Sequence, residues 1–228
     1  GINFEVRAGE ILGIAGVQGN GQTELVEILS GLRKIYSGRI FVGRDNVTNL
    51  SSKQLKLKKV ACIPEDRHKR GIVLDYSVSE NMILGMHTYK PICKNKILSF
   101  KNIKAYVNKL IHEFDIRTPN TDVLIRSLSG GNQQKIVIAR EMNLNPDVLI
   151  ASHPTRGVDI GAIEFIHKKI IEMRDAGKAV VLVSSELQEI MALSDKIAVM
   201  FNGKIIDILS SEETTEEKLG LLMSGAKL

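Results

Sequence analysis

The clearest chemistry in this sequence lies in one glycine loop, Gly16-Val17-Gln18-Gly19-Asn20-Gly21-Gln22-Thr23. It matches the phosphate-binding spacing G-x-x-x-x-G-K-[ST] everywhere except at the lysine, which here is Gln22. Glycines let successive backbone N–H groups converge on a phosphate, and a helix starting just after them adds partial positive charge. Gly16, Gly19, Asn20, Gly21, Gln22, Thr23 and Glu24 are therefore the candidate phosphate-site residues, with Thr23 placed to ligate Mg²⁺. Gln22 donates a hydrogen bond but brings no charge. A charge-assisted bond contributes about 1.5–3 kcal/mol against about 1 for a neutral one, so the contact is weakened. Taken alone, the same residues also suit an ordinary glycine-rich turn between a strand and a helix.

Two further segments could act on the same kind of ligand. Leu128-Ser129-Gly130-Gly131-Asn132-Gln133-Gln134-Lys135 sets a hydroxyl and two glycine amides just ahead of a helix, a second arrangement suited to an anion. The apolar run Val148-Leu149-Ile150-Ala151 ends in Ser152-His153-Pro154-Thr155-Arg156-Gly157-Val158-Asp159. Of these, His153 has the side chain able to accept a proton near neutral pH.

The elements that must position these residues can be read from periodicity. Ile11-Leu12-Gly13-Ile14-Ala15 is a short apolar run of the kind found in fully buried strands. After the glycine loop, Leu25, Ile28, Leu29 and Leu32 step down one helical face. Further strands are predicted over 60–63, 148–151, 179–184 and 197–200, with a helix over 161–176 closed by Gly177. Strands alternating with helices imply an α/β fold with a largely parallel sheet. Asn202-Gly203 signals a hairpin, adding antiparallel strands. Ile2, Phe4 and Val6 alternate with polar neighbours, which predicts a half-buried strand under way at residue 1 and a start that looks cut. Residues 76–145 carry helical patterns without a convincing strand, so a helical lobe is predicted between core segments 1–75 and 146–228. A terminal helix with an acidic start is expected over 212–222.

Composition narrows the class. The 228 residues are 43% hydrophobic and 25% charged, ordinary for a globular protein, and the core must be aliphatic because Trp is absent. Two cysteines cannot form a disulfide framework; Cys62 falls in a predicted buried strand and Cys93 in a predicted loop, which suits a reducing compartment. No apolar run approaches the roughly 18 residues of a spanning helix, so a soluble, cytosolic piece is expected. The net charge of +5 raises the question of nucleic acid. Yet the basic residues fall in small groups (Lys53 to Lys59, Arg67/Lys69/Arg70, Lys90 to Lys104) without interleaved aromatics, which reads as solvated faces and no nucleic-acid partner.

The segment Leu128 to Lys135 resembles the LSGGQ signature of ABC ATPases, in the LSGGNQQK form. The glycine loop then corresponds to Walker A and the 148–159 segment to Walker B and the D-loop. The resemblance covers essentially the whole chain. It is strongest to the second ATPase half of ribose/galactose-type importers, and within that group to the nucleoside-importer branch. The residues carrying it are Gly19–Leu25, Pro64–Gly71, Tyr89–Pro91 and Gly161–Lys168.

That resemblance implies an ATP and Mg²⁺ site with departures in four of its motifs, the Walker A lysine replaced by Gln22 among them. ABC ATPases usually read D-E-P-T where this chain has Ser152-His153-Pro154-Thr155, so the Mg²⁺-supporting and water-polarising carboxylates are both absent. His153 stands at the general-base position, either as a substitute base or as a tolerated replacement. Ser185 stands at the switch-histidine position, and Glu65 at or near the glutamine that touches Mg²⁺ and the transmembrane partner. Thr23, Glu65 and Ser152 are thus weakened Mg²⁺ positions, while Asp159 matches the aspartate at the dimer seam. Ser129, Gly130, Gly131, Asn132 and Gln133 would serve ATP held by a partner cassette, the first nucleotide-binding domain of the same polypeptide. The implied setting is the cytoplasmic face of the membrane, against transmembrane permease subunits and, indirectly, a substrate-binding lipoprotein. Cargo stays open between nucleoside, which is favoured, and sugar. Two other readings remain: a regulatory P-loop scaffold that binds no nucleotide, and an ABC ATPase of translation or DNA repair.

Overall fold

The apolar run at residues 11–15 forms β1 (Ile11–Ala15), with every residue buried. The computed structural model describes residues 1–86, 89–90, 92–95 and 97–226 and, of Lys94, the backbone alone. After β1 come α1 (Gln22–Leu29), β2 (Phe41–Val42), β3 (Asp45–Asn46), α2 (Ser52–Leu57) and β4 (Val60–Ile63). Next are α3 (Arg67–Arg70), α4 (Val78–Met82), β5 (Cys93–Lys94), β6 (Ile97–Leu98), α5 (Phe100–Glu113) and α6 (Gly130–Met142). The chain continues through β7 (Val148–Ser152), α7 (Ile160–Asp175), β8 (Ala179–Ser184), α8 (Leu187–Leu193), β9 (Lys196–Phe201), β10 (Lys204–Ser210) and α9 (Glu216–Met223). The described residues divide into two units: 1–62, 145–154 and 167–228 in the first, 63–144 and 155–166 in the second.

The first unit is built on a sheet in the order β10-β9-β1-β8-β7-β4. β1 runs parallel to both β8 and β9, and β7 runs parallel to β8, with Ala15 opposite Ser184 and Ser152 opposite Val183. All six residues of β8 are buried, as expected of a parallel strand covered on both faces. Leu12, Ile14, Leu25, Val26, Ile150, Val181, Val183 and Met200 share one core. Each such side chain contributes about 1.5–3 kcal/mol through the apolar surface it removes from water. The hairpin from β9 to β10 turns at Asn202 and Gly203, both at positive φ (47° and 71°), as a type I′ turn requires.

Glu10 anchors the lower end of this sheet. One carboxylate oxygen takes Lys196 Nζ at 2.7 Å and the other accepts the Arg7 N–H at 2.8 Å. Burial pushes this carboxyl up, but the Lys196 hydrogen bond, the Arg7 N–H and both nearby charges outweigh it and hold it below the ordinary value of 4.5. A folded-state value below the unfolded one means stability that is present at neutral pH. It is lost as pH falls from about 4.5 through the lower folded value. Urea melts from pH 7 to pH 3 should therefore show a loss of stability in acid that Glu10→Gln flattens; an unchanged acid slope in the variant would exclude this pair as a contributor.

The second unit is organised by α6, in which residues 131 and 133–142 are all buried. α4 packs against α5 and α6, and α3 against α6. Asn81, fully buried, ties this unit together: its Oδ1 accepts from Val73 N, and its Nδ2 donates to the carbonyls of Val73, Tyr76 and Ser77. Its own carbonyl accepts from Arg140, which is paired to Glu141 at 2.8 Å. Ser77 caps α4 reciprocally with Glu80.

The structure departs from the sequence reading at several points. Residues 2–6 keep their alternating burial, and Ile2, Phe4 and Val6 pack on the first unit's core, but they form no ladder. Periodicity reports a buried face, whereas a strand also needs a partner edge. Leu32 lies beyond α1 and is exposed, since the helix closes at Ser30 and turns through Gly31. The region expected to lack strands contains the short antiparallel pair β5–β6, too brief to show a period of two. Cys93 is accordingly in a strand and buried. Pro91, in the Tyr89–Pro91 segment, and Lys96 lie outside the described residues.

Candidate nucleotide site

The glycine loop follows the carboxyl end of β1 and opens α1, in the first unit. Gly21, left-handed at φ 108°, is the N-cap residue, and Asn20 fastens the loop to the β9–β10 hairpin. Asn20 Oδ1 accepts from Asn202 N at 2.9 Å, and its carbonyl accepts from Gly203 N at 2.8 Å. Thr23 and Glu24 are exposed in the first turn.

Gln22 behaves differently from an exposed phosphate contact. It is buried at 8% exposure, and its Nε2 donates to Val17 O at 3.2 Å. That amide lies against Gly16, where a Cβ would collide with it and would come within 2.7 Å of the Met200 carbonyl. Residue 16 must therefore be glycine for residue 22 to fold under the loop. The lysine position thus holds a neutral strut, bonded to the loop it supports.

The other positions of the first unit gather at the same ends of neighbouring strands. Ser152, 2% exposed, closes β7, and His153 follows half-buried at φ 44° with its N–H donating to Val183 O at 2.7 Å. The left-handed region is uncommon for a residue with a Cβ, though histidine enters it more readily than most. Ser185 is exposed just after β8, where Ser184 Oγ accepts the N–H of Glu186 at 3.1 Å. In a parallel sheet, ligands bind outside these carboxyl ends, next to strands whose connections diverge. β1, lying between β8 and β9, is such a strand.

The signature positions lie in the second unit. Ser129 is the N-cap residue of α6, its Oγ accepting from Asn132 N at 3.4 Å and Nδ2 at 3.0 Å. Asn132 Oδ1 in turn accepts from Arg117 N at 2.7 Å. A Cβ on Gly131 would lie 2.8 Å from Asp159 Oδ2, so this glycine is needed for close packing. Asp159 Oδ1 accepts from Ala162 N at 2.9 Å and so caps the start of α7. Gln133 faces inward at 6% exposure, donating to the carbonyls of Ile125 and Leu128 and accepting from Arg67 Nε at 3.4 Å. Its amide is engaged in the unit's interior. Lys135, the last residue of the same motif, holds Asp115 at 2.9 Å and lies 4.5 Å over the Phe165 ring.

Arg67 is a residue whose role sequence reasoning missed, because it was grouped with solvated basic faces. Its Nη1 donates to Arg156 O at 2.9 Å and its Nη2 to Gly157 O at 3.3 Å. With Gln133, these bonds join α3, the start of α6 and the 155–159 turn. Burial draws the guanidinium below its ordinary value while Asp66 opposes that shift. Glu65 accepts from Arg156 Nη1 at 2.7 Å, so its carboxylate is held within the same unit.

A profile of the ABC transporter family matches residues 1–156. The chain belongs to the ABC transporter family. As an ABC-type domain it is 52% identical over 225 residues to the guanosine import ATP-binding protein NupO of Bacillus subtilis, covering 99% of this chain and 44% of that protein. It is 48% identical to the nucleoside import ATP-binding protein NupA of Lactococcus lactis, with 100% and 45% covered. It is 40% identical to the ribose import ATP-binding protein RbsA of Clostridium tetani, with 96% and 43% covered. The chain therefore spans less than half the length of these curated relatives. Among solved structures, an ATP-binding cassette dimer bound to ADP and Pi superposes with a TM-score of 0.77 at 20% identity, covering 92% of this chain and 89% of that one. A nucleotide-free ATP-binding cassette gives 0.78 at 22% identity, with 98% and 88% covered. These bear out the expected α/β fold, with its parallel sheet and added antiparallel strands.

Proposed function

We propose that this cassette is an energy-coupling ATP-binding domain of a nucleoside importer, with a degenerate site of its own and a signature that completes a partner's site. The observation carrying this reading is the asymmetry between the two sets of residues. Ser129, Gly130 and Gly131 keep the donor arrangement at the start of α6. At the strand ends of the first unit, Gln22, Ser152, His153 and Ser185 stand where the family's pattern has a lysine, two carboxylates and a histidine. The partner is the first cassette of a tandem polypeptide, a reading supported by relatives more than twice this chain's length. Both sit at the cytoplasmic face of the membrane against permease subunits, supplied with cargo by a substrate-binding lipoprotein. No described helix is long and apolar enough to cross a membrane. Nucleosides are favoured over ribose by the higher identity to guanosine and nucleoside import proteins.

Calorimetric titration of the chain with Mg·ATP, with hydrolysis followed on the same sample, tests the degenerate site. Measurable binding with negligible turnover is expected. Robust turnover by the chain alone, abolished by His153→Ala, would overturn the reading; an absence of any binding would move the domain to a scaffold that only lends its signature. Uptake of labelled guanosine, and not ribose, by the transporter carrying this chain tests the cargo.

A further inference from the structure

The ABC family's nucleotide chemistry implies Mg²⁺; Thr23, exposed in the first turn of α1, keeps one hydroxyl oxygen for that ion, but the residues at the end of β7 supply no carboxylate to anchor it. Mg²⁺ takes hard oxygen ligands in near-octahedral geometry and is usually anchored by one or two carboxylates together with the substrate's phosphates. Ser152, at the end of β7, is neutral and buried. The next residue, His153, offers nitrogen, a donor better suited to zinc, copper or iron. The Glu65 carboxylate is held by Arg156 within the other unit.

We propose that nucleotide binding at this cassette's own glycine loop is independent of divalent cations; this deepens, and rests on, the proposal above that the loop still holds ATP. The part of the site that grips an anion does not need the metal. The loop at residues 16–21 keeps its glycines, Gly21 turns the chain into α1, and Asn20 pins the loop to the β9–β10 hairpin. Gln22, nine-tenths buried and bonded to Val17 O, supports the loop from below without charge. Where two carboxylates face a triphosphate, a bridging cation must offset their mutual repulsion. At Ser152 and His153 that repulsion has gone together with the lysine's attraction, so metal-free ATP meets backbone donors and the positive end of α1 with no opposing carboxylate at these two positions.

The experiment is calorimetric titration of ATP into the 228-residue chain, once with excess Mg²⁺ and once with excess EDTA. The two dissociation constants are expected to agree within about two-fold. Loss of affinity by about ten-fold or more in EDTA would overturn the proposal while leaving ATP binding intact. Absence of binding in both buffers would instead remove the reading on which it rests, and the proposal with it. A second variant probes the cause. Ser152→Asp with His153→Glu restores both carboxylates and is expected to bind at least about ten-fold more weakly in EDTA than in Mg²⁺. If this variant remains folded by circular dichroism and still binds equally in both buffers, the electrostatic argument fails. The comparison on the unmodified chain decides the proposal even where the variant does not fold.

Discussion

Replacing Ser129 with alanine is expected to cut ATP turnover by the assembled transporter about ten- to hundred-fold, while Gln22→Ala changes it less than about two-fold. The first figure corresponds to one hydrogen bond to a charged phosphate, worth about 1.5–3 kcal/mol. Ser129 is exposed at the N-terminus of α6; its hydroxyl accepts from Asn132 at 3.4 and 3.0 Å, while its carbonyl accepts from Gln133 N at 2.9 Å. It is free to face a ligand brought by another cassette. Gln22 is turned inward, bonded to Val17 O, and belongs to a site proposed not to turn over. Losing the α6 cap costs about 0.5–2 kcal/mol of stability by itself. Thermal melts of Ser129→Ala then separate that cost from the loss of turnover. The reverse ranking of the two variants would refute the assignment of the signature to a working partner site and of the glycine loop to a degenerate one.

The largest stability effect is expected at Asn81. Asn81→Ala deletes one acceptor and two donor hydrogens that serve four backbone groups of the 73–77 turn, in a position with no exposure. Each buried polar group left unsatisfied costs about 1–3 kcal/mol, though parts of this turn can relax toward water. A loss of about 3 kcal/mol or more follows, which lowers the Tm by about 6–12 °C for a chain of this length. Asn81→Asp keeps the acceptor for Val73 N but presents a carboxylate to three carbonyls, so it should be at least as damaging. A Tm change under about 2 °C for either variant would show that the turn is held by other means.

These two predictions differ in what they draw on. Ser129 and its two glycines were visible in the chain as written, because a capping hydroxyl and helix-starting glycines are adjacent residues whose geometry is local. For the same reason the strand–loop–helix at β1 and α1, the buried strands β7, β8 and β9, and the Asn202-Gly203 turn could be read directly. Their signals are runs and periods of a few residues, and burial then follows the period. The absence of lysine and carboxylates at residues 22, 152 and 153 is equally a property of the sequence, since no packing can supply a missing charge.

The fold decided what depends on residues far apart in the chain. Arg67 reads as one more basic residue until the 155–159 turn and α6 are brought to it. Asn81 reads as a polar residue in a short helix until the 73–77 turn closes over it. Gln133 and Lys135 read as part of an anion-binding motif, yet both are buried at 6% and 7% exposure and hold the second unit together. Buried polar groups must find partners, and which partner each finds is fixed by chain crossings that no local pattern encodes. Residues 2–6 illustrate the converse: their alternation correctly marks the face that lies on the core, but pairing into a ladder requires a free neighbouring edge, which only the assembled sheet provides or withholds.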